Sequence, residues 1–285
     1  MRIVLTGACG QLGKSIQAAH SGLHPRPGPG RLAGAELIPV DVPDWDITDP
    51  GQVSRLADVK PAVVIHCAAM TDVDGCARNP ELAFKVNAFG TQNVALACQR
   101  AGAAMVCVST NEVFDGTTSR PYLEFDATHP INPYGLSKLA GEQMASRLMH
   151  RLYVVRTSWL FDRGGDNFVS KILAGADQQG QLQVVSDEVA NPTFAPDLAA
   201  AILHLIETEH YGIYHLVNEG HCSRYEFAQE IVRQAGRGDV PVHPITSDQF
   251  QRASTPPAFA PLDNTVGASL GIQLRPWQDA LGDYF

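Results

Sequence analysis

The chain begins Met1-Arg2-Ile3-Val4-Leu5-Thr6-Gly7 and runs straight on through Ala8-Cys9-Gly10-Gln11-Leu12-Gly13 into a helical pattern. No other stretch restricts the fold as much. A short apolar, β-branched strand that stops at a glycine can pass at once into a helix only through a tight turn with close strand–helix approach, which GxxGxxG permits. The helix start then offers free N–H groups and a positive dipole end, a setting made for phosphate. The glycine spacing alone is a common turn; directly after an N-terminal strand it is the context in which a dinucleotide binds.

The alternation continues. Strands are predicted at 2–6, 36–40, 62–66, 104–109 and 152–157. Between them helices are predicted at 11–21, from Pro50 with Asp49 as N-cap, at 83–101 and at 133–149. Pro39 weakens the second strand. Gly22 to Gly30, rich in Pro and Gly, reads as an exposed loop without chemistry. This is the pattern of an α/β fold, a doubly wound parallel (Rossmann) sheet. Beyond residue 158 the alternation loosens, with helices at about 196–207 and 224–235. Residues 1–158 are therefore expected to form mainly the nucleotide-binding core. Residues 159–285 are expected to form mainly a small C-terminal substrate-binding region, interwoven with it.

Composition narrows the partners. In 285 residues, 45% are apolar, enough for a packed core, and the net charge of −9 argues against nucleic acid. The start lacks the charged and long apolar segments of a signal peptide, and no apolar run reaches the length of a membrane span. A cytoplasmic protein without a membrane partner is expected. The six cysteines show no metal spacing and read as small buried hydrophobes. The ten histidines do not cluster at metal spacing; His204, His210 and His215 take surface or core roles by default, and no metal is expected. Glu124 and Asp126 read as solvated loop charges.

Several residues then fall into chemical roles. Asp41, closing the second strand, can accept from both adenosine ribose hydroxyls and would repel a 2′-phosphate, which favours NADH over NADPH. Asp46 and Ile47 offer a carboxylate and an apolar contact for adenine. Ala69, Met70 and Thr71 follow the third strand where a dinucleotide crosses the sheet edge. Tyr134 and Lys138 are four apart near a helix start and so share a face. An ammonium beside a phenol lowers its pKa and readies it for proton transfer. Thr110 ends the intervening strand, where its hydroxyl can orient a substrate carbonyl and share its proton with Tyr134.

These elements together resemble the extended short-chain dehydrogenase/reductases. Further segments narrow the resemblance to the dTDP-4-dehydrorhamnose reductase family: Asp46-Ile47-Thr48-Asp49-Pro50, Val113-Phe114-Asp115-Gly116, Asn132-Pro133-Tyr134-Gly135-Leu136-Ser137-Lys138, Arg156-Thr157-Ser158-Trp159-Leu160-Phe161, Leu262-Asp263-Asn264-Thr265 and Leu274-Arg275-Pro276-Trp277. The resemblance implies reduction of the C4 keto group of a nucleotide-linked deoxysugar, dTDP-4-dehydro-L-rhamnose in the family, with NADH or NADPH as cofactor. It implies a cofactor lining of Gly7, Gly10, Gln11, Leu12, Gly13, Asp41, Asp46, Ile47, Ala69, Met70 and Thr71, with catalytic Tyr134 and Lys138 also touching cofactor. Thr110 would be the hydroxyl partner, Asn111 would lie beside the substrate, and Trp159 would flank the sugar. A homodimer is expected by the same analogy. Asp187 to Thr193 resembles the family's substrate-side loop.

One departure stands out. Where the family reads Ser-Thr-Asp-Tyr-Val-Phe, this chain has Ser109-Thr110-Asn111-Glu112-Val113-Phe114. A carboxylate beside the substrate is lost, and an aromatic wall is replaced by a charge. Two other readings fit the same elements: a nucleotide-sugar epimerase or dehydratase, and a non-catalytic NAD(P)-binding regulatory subunit.

Overall fold

The structure, a computed structural model, describes residues 1–23, 30, 32 and 34–285. Six strands form its central sheet, all parallel: β1 (Arg2–Thr6), β2 (Glu36–Val40), β3 (Val63–His66), β4 (Ala104–Thr110), β5 (Leu152–Thr157) and β6 (Gly212–His215). Their order in space is β2-β1-β3-β4-β5-β6. Strands β3, β4 and β5 are covered on both faces and are apolar almost throughout, as a doubly wound sheet requires. The edge strand β2 accommodates Pro39 opposite Leu5, because an edge need not donate along its open side.

The covering helices are α1 (Gln11–His20), α2 (Thr91–Ala101), α3 (Pro133–Leu148), α4 (Phe168–Gln179), α5 (Ala195–Thr208) and α6 (Arg224–Gln234). On one face α1 and α5 bury Ile16, Leu198 and Ile202 against Ile3 and Leu5 of β1. On the other, α2 and α3 bring Val94 and Ala145 to Val4, Val64 and Met105. A third cluster around Phe161, Phe227 and Trp277 joins α4 and α6 to the C-terminal segment. Both β6 and α5 come from the second half of the chain, yet they complete the sheet and its cover.

The helix predicted at 83–101 starts earlier and is not uniform. Asn79 caps it through Leu82 N at 3.1 Å, and Pro80 takes the first position. Phe84–Gly90 then winds as a π-helix before α2, a deformation that often marks a functional site. Asp49 caps the following turn by accepting from Gly51 N at 2.8 Å. The loop reading of 22–30 falls mostly on residues 24–29, which lie outside the described residues. Among the described residues no helix is long and apolar enough to cross a membrane.

Two expectations fail. Glu124 is buried, not solvated: its Oε1 accepts from Val266 N at 3.0 Å and from His215 N at 3.3 Å. The segment carrying it is pressed onto the end of β6, so its charge faces backbone donors, and burial pushes its pKa up. Of the cysteines, Cys76, Cys98, Cys107 and Cys222 are buried, but Cys9 is exposed, since the glycine turn gives it nothing to pack against.

Candidate active site

A cavity of about 610 Å³ opens along the C-terminal edge of the sheet, a volume typical of cofactor and substrate sites. It lies where β1 and β3 send their chains to opposite sides, the crevice in which open α/β sheets bind ligands. Gly7, Gly10, Gln11, Leu12 and Gly13 line one end, with Asp41, Asp46 and Ile47 beside them. Ala69 and Thr71 line the middle, and Thr110, Asn111, Tyr134, Lys138 and Trp159 the other end.

The glycine end fits a dinucleotide. A Cβ on Gly13 would collide with the Gly7 carbonyl oxygen and the Ala8 backbone. The turn therefore closes directly onto the start of α1, whose first-turn N–H groups have no intrahelical acceptor. Asp41 is held beside this turn, accepting from Cys9 N at 2.7 Å and Val42 N at 2.8 Å.

Met70, between Ala69 and Thr71, is held through its backbone. Asn87 pins its backbone at both ends, Met70 N donating to Oδ1 at 2.8 Å and Nδ2 donating to Met70 O at 3.0 Å. Its side chain packs against the cluster of Cys76, Ala83 and Tyr134.

At the other end α3 begins on a defined cap: Asn132 Oδ1 accepts from Gly135 N at 2.8 Å, with Pro133 at the first helical position. One turn of helix then turns Tyr134 and Lys138 toward the same cavity. Thr110 closes β4, its Oγ1 accepting from Glu112 N at 3.2 Å and facing the Tyr134 phenol.

The electrostatics of this dyad correct the sequence expectation. Burial holds the Tyr134 pKa above its ordinary value, the Glu112 charge adds to the rise, and only the Thr110 hydroxyl opposes it. Lys138 is engaged elsewhere. Its ammonium donates to Val108 O at 2.7 Å, and its charge acts on His66, Cys67 and Cys107. The phenol is thus kept protonated.

Asn111 lines the cavity but spends its amide on protein: Nδ2 donates to Ala260 O at 3.1 Å and Oδ1 accepts from Thr110 Oγ1 at 3.3 Å. Trp159 adopts a φ of 41°, rare for a large residue and of the kind held at functional sites. The Arg224 guanidinium lies 3.6 Å from the centre of its ring. Arg224, Trp159, Asn111 and Glu112 also line a smaller adjoining cavity of about 200 Å³, where Arg252 pairs with Glu188.

With this geometry in view, comparison with known proteins is specific. The family model described as the RmlD substrate binding domain matches residues 1–285. The chain belongs to this family. It is 38% identical over 287 residues to the dTDP-4-dehydrorhamnose reductase of Mycobacterium tuberculosis, covering 98% of this chain and 91% of that one. It is 32% identical over 287 residues to the dTDP-4-keto-6-deoxy-D-glucose reductase of Streptomyces niveus, covering 100% of this chain and 96% of that one. The crystal structure of the Bacillus anthracis dTDP-4-dehydrorhamnose reductase in complex with NADP superposes with a TM-score of 0.92 at 37% identity, covering 100% of this chain and 98% of that one.

Some residues that build the site carried no readable signal. Asn87, inside the π-helix, also donates to Ser137 Oγ at 3.0 Å and so ties the loop after β3 to α3. A buried Arg156–Glu142 ion pair, with Ser109 donating to Glu142, fixes α3 to β4 and β5. Arg224 lies 90 residues along the chain from Tyr134 and reaches the site only through folding. Nothing in an Arg at a helix start distinguishes it from a solvated charge.

Proposed function

We propose that this protein reduces the C4 keto group of a nucleotide-linked 6-deoxysugar, dTDP-4-dehydro-L-rhamnose, to dTDP-L-rhamnose. The observation that carries this reading is one continuous cavity with a phosphate-suited glycine turn at one end and a protonated Tyr134 beside Thr110 at the other. The likeness to reductases named for dTDP-4-keto sugars supports it.

Bound in the cavity, NADH or NADPH would supply the hydride. The first turn of α1 would hold the diphosphate, with Asp41 toward the adenosine ribose. Tyr134 and Thr110 would grip the carbonyl oxygen, and as hydride reaches the carbon Tyr134 would pass its phenolic proton to the developing alkoxide. Lys138, anchored on Val108 O, would hold a fixed positive charge and further donors toward the nicotinamide ribose. Trp159 would close over the sugar. Asp41 favours NADH by its charge, whereas the Bacillus anthracis relative was solved with NADP, so both must be tried. A homodimer and a cytoplasmic location belong to the same reading.

The test follows oxidation of NADH and of NADPH with freshly generated dTDP-4-dehydro-L-rhamnose, for the natural chain and Tyr134→Phe. Removal of the proton donor should cost about 10²- to 10⁴-fold in kcat with dinucleotide binding kept. Dinucleotide binding without any oxidation would refute the reductase and leave the epimerase or dehydratase and the regulatory-subunit readings.

A further inference from the structure

Relatives of this chain are named for two different 4-keto sugars. Glu112 is where this chain differs. Its position is tightly determined. Its N–H is bound by Thr110 Oγ1 at 3.2 Å, and its carbonyl oxygen lies so close to α3 that a Cβ on Gly135 would collide with it. Its backbone is therefore fixed between Thr110 and the start of α3, and its charge acts on Tyr134.

Only one of its two oxygens is used by the protein. Oε2 accepts from Asn132 Nδ2 at 2.6 Å, while Oε1 has no hydrogen-bond partner among the described residues. The side chain lines both the large and the small cavity. Arg224 lines both as well, stacked between Trp159 and Phe168 with its guanidinium 3.6 and 4.9 Å from their ring centres. It makes no ion pair with a carboxylate among the described residues, and its charge acts on Glu112 across the cavity. Burial holds the Glu112 pKa above the ordinary carboxylate value, and Asn132, Arg224 and Arg252 oppose that rise by favouring the anion.

We propose that Glu112 is the specificity-determining residue of this site, its Oε1 accepting a hydrogen bond from the substrate hydroxyl on the carbon beside the reacting carbonyl. In a 4-keto-6-deoxysugar this is the C3 hydroxyl, the one hydroxyl on a ring carbon next to C4. A carboxylate can only accept, so it rewards a donor there and is left desolvated and unpaired by a sugar that lacks one. A site built to bond a substrate hydroxyl discriminates strongly against the analogue without it. Arg224 acts as counter-charge, keeping Glu112 in its accepting form once the sugar excludes water.

The inference rests on the reductase reading. Its test measures kcat/KM of the natural chain and of Glu112→Gln with dTDP-4-dehydro-L-rhamnose and with its 3-deoxy analogue. The natural chain should prefer the hydroxylated sugar by roughly 10- to 100-fold, the worth of one charge-assisted hydrogen bond. Glu112→Gln keeps shape and an oxygen for Asn132; it should lose most of that preference, chiefly through a lower kcat/KM for the hydroxylated sugar. Equal kcat/KM for the two sugars in the natural chain overturns the Glu112 assignment and leaves the reductase standing, and this arm needs no variant to fold. An undiminished preference in Glu112→Gln overturns it likewise. Absence of turnover with either sugar, with dinucleotide still bound, overturns the reductase reading and this inference with it.

Discussion

His66 shows how much one buried side chain can carry. Thr91 donates its hydroxyl proton to Asn87 O at 2.6 Å, so His66 Nε2, 3.1 Å away, must be the donor to Thr91 Oγ1. Nδ1 then accepts from Thr6 Oγ1 at 2.8 Å, and the ring is neutral with a defined tautomer. Burial, with Lys138 nearby, pushes its pKa from 6.5 down to about 3. His215, donating from Nδ1 to backbone carbonyls and facing Arg156, is pushed down to about 3 in the same way. Both imidazoles stay neutral in the folded chain where an unfolded chain would take up protons. Stability is therefore fully present above pH 6.5 and falls as pH drops from there toward about 3, at up to about 1.4 kcal/mol per pH unit for each histidine. Urea unfolding at pH 7 and pH 5 should show the loss, and His66→Asn should reduce the slope; an unchanged slope would mean that His66 is charged in the fold.

At the scale of elements, the site depends on where two helices start. α1 begins against β1 because Gly13 has no Cβ. Gly13→Ala forces the helix off the strand and should both destabilise the fold and abolish dinucleotide binding, read by thermal melting and by titration of NADPH fluorescence. α3 begins where Asn132 caps it. Asn132→Ala removes the cap, worth about 1 kcal/mol, and releases Glu112 Oε2. We expect a lower melting temperature together with a fall in kcat, since the N-terminal turn of α3 carries Tyr134. A kcat equal to that of the natural chain would show that the cap serves stability alone. The π-helix at Phe84–Gly90 belongs at this scale too, because it carries Asn87, whose side chain binds the Met70 backbone.

For the whole molecule, the decisive fact is that the two halves share one core. Leu12 and Ile16 of α1 pack with Leu198 and Ile202 of α5, and β6 extends the sheet beside β5. A fragment of residues 1–158 would leave that face of the sheet in water. It should show no cooperative thermal transition by circular dichroism, whereas the full chain should melt cooperatively. A cooperative melt of the fragment would make residues 1–158 an independent domain. The cavity shares this dependence, because Trp159 and Arg224 come from the second half of the chain.

The sequence by itself determined the parts of this protein that rest on local backbone physics. The strand–glycine–helix start, the Asp49 cap and the first five strands of the parallel sheet are legible because turn geometry, capping and hydrophobic runs act within a few residues. The pairing of Tyr134 with Lys138 on one face is legible for the same reason: helical spacing decides it. What these groups do to one another was not, because the electrostatics depend on burial and on distant partners. Lys138 turns to Val108, Glu112 adds its charge to Tyr134, and Glu124 is drawn into the core by backbone donors from β6 and residue 266. Arg224 joined the site only when α6 folded against Trp159 and Phe168. Contacts across such separations in the chain leave no periodic trace, since they are chosen by the packing of elements and not by the spacing of residues along any one of them.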